Sequence, residues 1–274
     1  MAKLDRLGWA DGKSFTAYGV RFGLRVNDKA LLKLLAERLP PGAKPSPVRT
    51  VNHLYSLTGF PHGSNGRVRR FNLGYWNLAQ FVRTRTFDEL LDQFETHLQL
   101  TIAEYAPRRI FVHAGVVALD EKAIVIPGAS FSGKSTLVAE LLRAGATYYS
   151  DEYAVIDEHG KVHPYPRALR IRSDHSNLPA RVDATEFGSR IGAKRLPLAL
   201  IVSTKFKEGA TFKPGELSRG KAVLELLANT VSARSQPEMA LSYLTRAVAS
   251  ANTFRGTRGE ANEAAELILR KVVR

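Results

Sequence analysis

Apolar and polar positions alternate differently in the two parts of this chain. Residues 15–26 have β-type composition, and Asn27 is placed to cap a helix whose Leu31, Leu32, Leu34 and Leu35 form an apolar stripe. Pro40, Pro41, Pro45 and Pro47 then impose an extended loop. Two strand-like runs, 48–57 and 67–76, flank Pro61-His62-Gly63-Ser64-Asn65-Gly66, a hairpin connection. Thr86 and Glu89 form a capping box that opens a long helix through Leu90, Leu91, Phe94, Leu98 and Ile102. Two or three strands with two helices make a small α+β module, and nothing in it suggests chemistry. The chain carries no internal repeat and no low-complexity tract.

From Arg108 the texture changes. Residues 110–119 and 123–127 are β-rich runs separated by Asp120-Glu121. A glycine-rich turn follows, then a helix over 134–143. Further strands are predicted at 147–150, 154–157 and 196–203, helices near Leu217 and at Ser235, and a strand over 252–257 before an amphipathic C-terminal helix. Ser235 and Glu238 read as a second capping box with Pro237 in the first turn. The long helix ends at Tyr105-Ala106-Pro107-Arg108-Arg109, which divides the chain into an α+β module over 1–107 and a second domain over 108–274.

Composition narrows the classes. Hydrophobic residues at 44% and charged residues at 24% suit a globular protein and exclude disorder as a description of the whole. No apolar run reaches the ~18 to 20 residues of a membrane helix, and no apolar core follows Met1-Ala2-Lys3, so the cytoplasm is the simplest address. Zero cysteines exclude disulfides, thiolate zinc sites and a cysteine nucleophile. The net charge of +14 divides evenly, +7 over residues 1–100 and +7 over 101–274. An even excess reads as a generally basic surface. The small clusters Arg67, Arg69, Arg70 and Arg167, Arg170, Arg172 read first as solvated faces, although they would suit an acidic or phosphorylated ligand. No recognition-helix motif accompanies the charge, which argues against nucleic acid as a partner.

The chemistry is carried by Gly128-Ala129-Ser130-Phe131-Ser132-Gly133-Lys134-Ser135, which fits G-x-x-x-x-G-K-[ST] at every required position between a predicted strand and a predicted helix. Glycines let such a loop turn its N–H groups inward as an anion nest, and the helix N-terminus adds partial positive charge. Lys134 brings a full charge to the β- and γ-phosphates of a nucleotide, the Ser135 hydroxyl is placed to ligate Mg²⁺, and Thr136 is a lesser candidate on the same turn. ATP and Mg²⁺ are therefore the expected ligands. Thr204-Lys205-Phe206-Lys207 supplies only the first two residues of a guanine motif, and Leu217-Ser218-Arg219-Gly220-Lys221 matches a transporter-ATPase signature only faintly.

Asp151 and Glu152 follow the strand over 147–150, soon after the glycine-rich loop's helix. One acid there can hold Mg²⁺ and the other accept a proton from an attacking hydroxyl, provided that the strand ends at that point. The competing reading is an acidic turn, since Asp157-Glu158-His159-Gly160 marks a hairpin just beyond. His113, within Phe111-Val112-His113-Ala114-Gly115-Val116, reads on local sequence alone as a half-buried strand residue.

His113-Ala114-Gly115, the loop 128–135 and Ser150-Asp151-Glu152 follow one another as in the catalytic domain of the HPr kinase/phosphorylase family, which this chain resembles over about residues 108–274. The resemblance implies an α/β kinase core with a nucleotide fold shared with phosphoenolpyruvate carboxykinase. It also implies that Asp151 and Glu152 act as metal ligand and catalytic base, with His113 assisting near the transferred phosphoryl group. The second acid of the family is usually Asp, and its Glu-x-Arg-Gly segment is not reproduced here: Leu169-Arg170-Ile171-Arg172 occupies that region.

The resulting expectation is an ATP-dependent phosphotransferase acting on a hydroxyl, serine foremost, of a protein or peptide. A small-molecule kinase and a non-catalytic nucleotide-binding module are the alternatives. The sequence leaves self-association open.

Overall fold

Burial alternates along β2, where Phe22, Leu24 and Val26 are buried and Arg21 is exposed, so one face of this strand is built to be covered. The computed structural model describes residues 2–60, 70–128, 132–171 and 180–273. The chain divides into two compact units, Met1–Pro107 and Arg108–Arg274.

In the first unit a short helix α1 (Ala2–Asp5) precedes the hairpin β1 (Asp11–Ala17) and β2 (Val20–Val26). Its two-residue turn places Tyr18 and Gly19 at φ +50° and +85°, the left-handed pair that suits the strand twist. Helix α2 (Lys29–Ala36), the two-residue β3 (Lys44–Pro45), β4 (His53–Thr58), β5 (Asn72–Trp76), β6 (Ala79–Thr84) and helix α3 (Phe87–Tyr105) complete it. The strands form one six-stranded sheet in the order β3-β1-β2-β4-β5-β6, parallel only between β2 and β4. Leu90, Leu91, Phe94, Leu98 and Ile102, the predicted stripe, are buried.

Several local expectations are corrected. Asp28, not Asn27, caps α2, accepting from the Ala30 N–H at 2.8 Å; the Asn27 amide instead pairs with the backbone of Gly59. Thr86 stands at the N-cap of α3 without a side-chain cap bond, because its hydroxyl donates to the Glu89 carboxylate at 3.0 Å. Among its described residues the unit holds six strands and three helices rather than two or three strands and two helices, and the connection over 61–66 lies outside the described residues.

The second unit is a mixed α/β fold. The long strand β7 (Arg109–Leu119) turns back into β8 (Lys122–Pro127), which leads through the glycine-rich loop to helix α4 (Lys134–Arg143). Then come β9 (Thr147–Ser150), β10 (Tyr153–Asp157), β11 (Lys161–His163), β12 (Leu169–Ile171), β13 (Ala180–Val182), β14 (Leu196–Phe206) and β15 (Gly215–Glu216). Helices α5 (Arg219–Ala228) and α6 (Pro237–Val248), strand β16 (Asn252–Arg258) and helix α7 (Ala261–Val273) close the chain. Gln236 is the N-cap of α6 with Pro237 in its first turn, and the Ser235 hydroxyl donates to the Ser232 carbonyl at 3.3 Å, so the expected Ser235–Glu238 box does not form.

The main sheet runs β11-β10-β7-β8-β14-β16-β15, with β9 also on β7. β8, β14 and β16 are mutually parallel in sequence of pairing, and β11 returns to β14, so β11, β10, β7, β8 and β14 form a closed circuit. Period-two alternation sends Ile110, Val112, Ala114 and Val116 to one core with α5 and α6, and Val117, Ile124 and Ile126 to another with α4 and α7. Burying Leu137, Val138, Leu141 and Leu142 from α4 contributes about 1.5–3 kcal/mol per side chain, which anchors the helix behind the loop. Among the described residues no helix is long and apolar enough to cross a membrane.

Candidate functional site

The C-terminal end of β8 is where the predicted chemistry gathers. Ala114 pairs with Pro127, and the Gly128 N–H donates to the His113 carbonyl at 3.3 Å, so the loop leaves the sheet beside His113. Ala129, Ser130 and Phe131 lie outside the described residues. Where the chain is described again, it is tightly folded: a Cβ on Gly128 would lie 2.9 Å from the Ser132 Oγ. Gly133 is the N-cap of α4 at φ +80°, a conformation that a glycine adopts without strain. Its carbonyl accepts the first helical bond, from the Leu137 N–H at 3.2 Å. Lys134 and Ser135 follow on the first turn, partly buried, while Thr136 is exposed.

The acids arrive from the other edge of β7. That strand pairs with β10 through Tyr153 opposite His113, and with β9 through Ser150 opposite Val116. Asp151 and Glu152 occupy the bend between the two pairings. The Ser150 hydroxyl accepts from the N–H groups of Glu152 at 3.1 Å and Tyr153 at 3.0 Å, holding that bend. Interruption of the extended strand allows both acids to face one site, the condition the sequence left open.

The two acids have different surroundings. Asp151 accepts hydrogen bonds from the Ser135 hydroxyl and the Arg170 backbone N–H, while its Oδ1 is buried without a hydrogen-bond partner. Burial, reinforced by the neighbouring Glu152 charge, pushes its carboxyl up to about 6, against the pull of Ser135, Lys134 and Arg170. Glu152 has one oxygen 4.0 Å from the His113 Nδ1, and the two side chains keep 45% and 33% of their surface, so this pair is open to an incoming group. Burial also raises the Glu152 carboxyl, opposed by Arg170 and Lys134. His113 is held below its ordinary value by burial and by the Lys134 charge, partly countered by its hydrogen bond to the Glu152 carbonyl. Burial lowers the Lys134 ammonium too, with Asp151 and Glu152 pulling the other way.

His113, Lys134, Ser135, Asp151 and Glu152 thus meet in one place, and the fold adds two residues to them. Arg170, on β12, stands beside the acids, although its cluster read first as a solvated face; Arg172 lies outside the described residues. Arg258, at the end of β16, donates to the Gly133 carbonyl at 2.8 Å. No local signal marks it, because 125 positions separate the partners.

The site's donor set fits Mg²⁺ with a nucleotide. A hard dication that keeps water and binds mainly through phosphates needs only one or two protein oxygens, and the unpartnered Asp151 Oδ1 beside the Ser135 hydroxyl supplies them. Among the described residues no group of three His, Asp or Glu side chains could hold a metal ion by itself.

No protein-family description matches this chain, and no curated protein does. Among solved structures, that of the Hpr(Ser) kinase/phosphatase from Coxiella burnetii is similar over 59% of this chain and 94% of that one, at 13% identity and a TM-score of 0.33. This is a distant structural relation.

Proposed function

We propose that the second unit binds Mg·ATP at the 128–135 loop and transfers its γ-phosphoryl group to a hydroxyl, with a serine of a protein or peptide as acceptor. The observation that carries this reading is the meeting of Lys134 and Ser135 with two acids of unlike surroundings. Lys134 and the N–H groups at the start of α4 suit the phosphate side. Asp151 and Ser135 would hold Mg²⁺, which supplies charge neutralisation on the transferring group. Glu152 suits the acceptor side: it takes the hydroxyl proton as the acceptor oxygen–phosphorus bond forms and the bond to the ADP leaving oxygen breaks. His113, neutral at physiological pH, orients Glu152. Arg170 offers the acceptor or the departing charge a cation. The openness of the Glu152–His113 pair favours an acceptor residue presented on a chain over an enclosed metabolite.

The test is to incubate the protein with γ-phosphate-labelled ATP and extract of its own cells. Label on a macromolecule supports the reading. Label on a small metabolite replaces the acceptor class, and binding without any transfer replaces the kinase with a nucleotide-binding module.

A further inference from the structure

A buried guanidinium, without an ion-pair partner among the described residues, sits at the start of α4, where only the more distant Glu260 charge favours it against the cost of burial. Arg258 is 2% exposed. One of its terminal nitrogens donates to the Gly133 carbonyl at 2.8 Å, and the other to the Gly259 carbonyl at 3.1 Å. Its Nε is buried without a hydrogen-bond partner. The guanidinium also faces the Phe206 ring, 5.5 Å from its centroid. Taking such a charge out of water is costly unless an anion or a set of oriented dipoles replaces the lost hydration.

We infer that Arg258 is the positioning residue of the phosphate site: it locks the Gly133–Lys134 peptide plane so that the Lys134 N–H stays directed out of the start of α4, where a phosphate would bind. The inference rests on the nucleotide reading above. Its physical basis is the planar trans peptide, in which the carbonyl of one residue and the N–H of the next point in opposite directions. Gly133 offers a single carbonyl, and the Leu137 N–H bond alone would leave its plane free to tilt, as helix ends do. The second donor, from β16, fixes it. A charge-assisted bond to the part-buried Gly133 carbonyl is stronger than the neutral one beside it.

The same contact explains Gly133 beyond its φ. A Cβ built there would come within 2.5 Å of the Arg258 guanidinium, so a side chain would displace the arginine from the carbonyl. The contact therefore joins the start of α4 to the end of β16, and the positive charge at the Gly133 carbonyl would raise the affinity for phosphate without touching the ligand.

The experiment compares the dissociation constants of Mg·ATP and of inorganic tripolyphosphate for the full chain, Arg258→Met and Arg258→Lys, by calorimetry. Arg258→Met should weaken both ligands by the same factor, on the order of 10- to 100-fold, because the lost function lies at the phosphates. Arg258→Lys, which keeps charge but cannot reach both carbonyls, should fall between. A role confined to stability would lower the melting temperature while leaving both constants unchanged in the folded protein, and that result overturns the inference. So does a loss for ATP that tripolyphosphate does not share. If Arg258→Met fails to fold, Arg258→Lys decides: full wild-type affinity overturns the inference, and a shared loss supports it. A wild-type chain that binds neither ligand overturns the nucleotide reading and this inference with it.

Discussion

The hydroxyl of Ser135, at the start of α4, hydrogen-bonds the carboxylate of Asp151, at the bend between β9 and β10. Two segments 16 residues apart are thereby joined at the point where Mg²⁺ would be held. With its carboxyl pushed up to about 6 from 3.8, Asp151 favours the folded state when protonated. Its contribution is present below the ordinary carboxylate range and is lost as pH rises through about 6. Asp151→Asn should therefore melt higher than wild type at pH 7.5 in metal-free buffer, and should lack the wild-type loss of stability between pH 4 and 6. Its phosphoryl transfer should drop sharply at ordinary magnesium and recover in part at high magnesium. Thermal melts across pH, with transfer assays at two magnesium levels, check both halves. A variant that melts lower and transfers normally would contradict the assignment.

Glu152 and His113 lie on the open side of the site, so their loss should separate binding from chemistry. Glu152→Gln should leave Mg·ATP affinity within about threefold of wild type, while transfer falls on the order of 10²- to 10⁴-fold. Because burial raises the Glu152 carboxyl, the wild-type rate should climb with pH above the usual glutamate range, and the variant should lack that climb. His113→Ala should lower the rate with a smaller effect on ATP affinity. Parallel binding and pH–rate measurements decide. Equal losses of affinity and rate would place these residues on the nucleotide instead.

Gly115 sets how close α4 comes to β7. A Cβ there would lie 2.5 Å from the Val138 Cγ2, closer than side chains pack. Gly115→Ala should cost about 1–3 kcal/mol of stability through overpacking. Adding Val138→Ala should return part of that loss, since it removes the atom the new methyl meets. Denaturant titrations of the two single variants and the double variant measure the coupling; simple additivity would show that the contact does not limit the packing.

Much of this site could be read along the chain where its signals are local. The run before Gly128 and the helix formers after Lys134 define β8 and α4 closely, and α4 occupies the predicted 134–143. The acids could be placed after β9, but their shared orientation depends on the Ser150-held bend, which no periodicity records. β6 carries little sequence signal, because Ala79, Gln80 and Arg83 are exposed and only Val82 and Thr84 are buried, too little alternation to read in a six-residue edge strand. Two of the three misplaced caps share one cause: Thr86 and Ser235 carry hydroxyls suited to a cap, and nearby acceptors, Glu89 and the Ser232 carbonyl, take them instead. The third, Asn27, is held by the backbone of Gly59, 32 positions along the chain. No local signal in the sequence marks Arg258, because its partner is set by the parallel order of β8, β14 and β16, a property of topology rather than of neighbouring residues.

The central claim is that the 128–135 loop binds the phosphates of Mg·ATP through Lys134. Calorimetric titration of Mg·ATP into the wild-type chain and into Lys134→Ala tests it most directly, with circular dichroism to establish that both are folded. The account predicts saturable binding to the wild type in the micromolar-to-millimolar range usual for substrates, and at least tenfold weaker binding to the variant, since no other described side chain carries a cation at that position on α4. Equal affinities for the two folded proteins, or no binding to either, would contradict it.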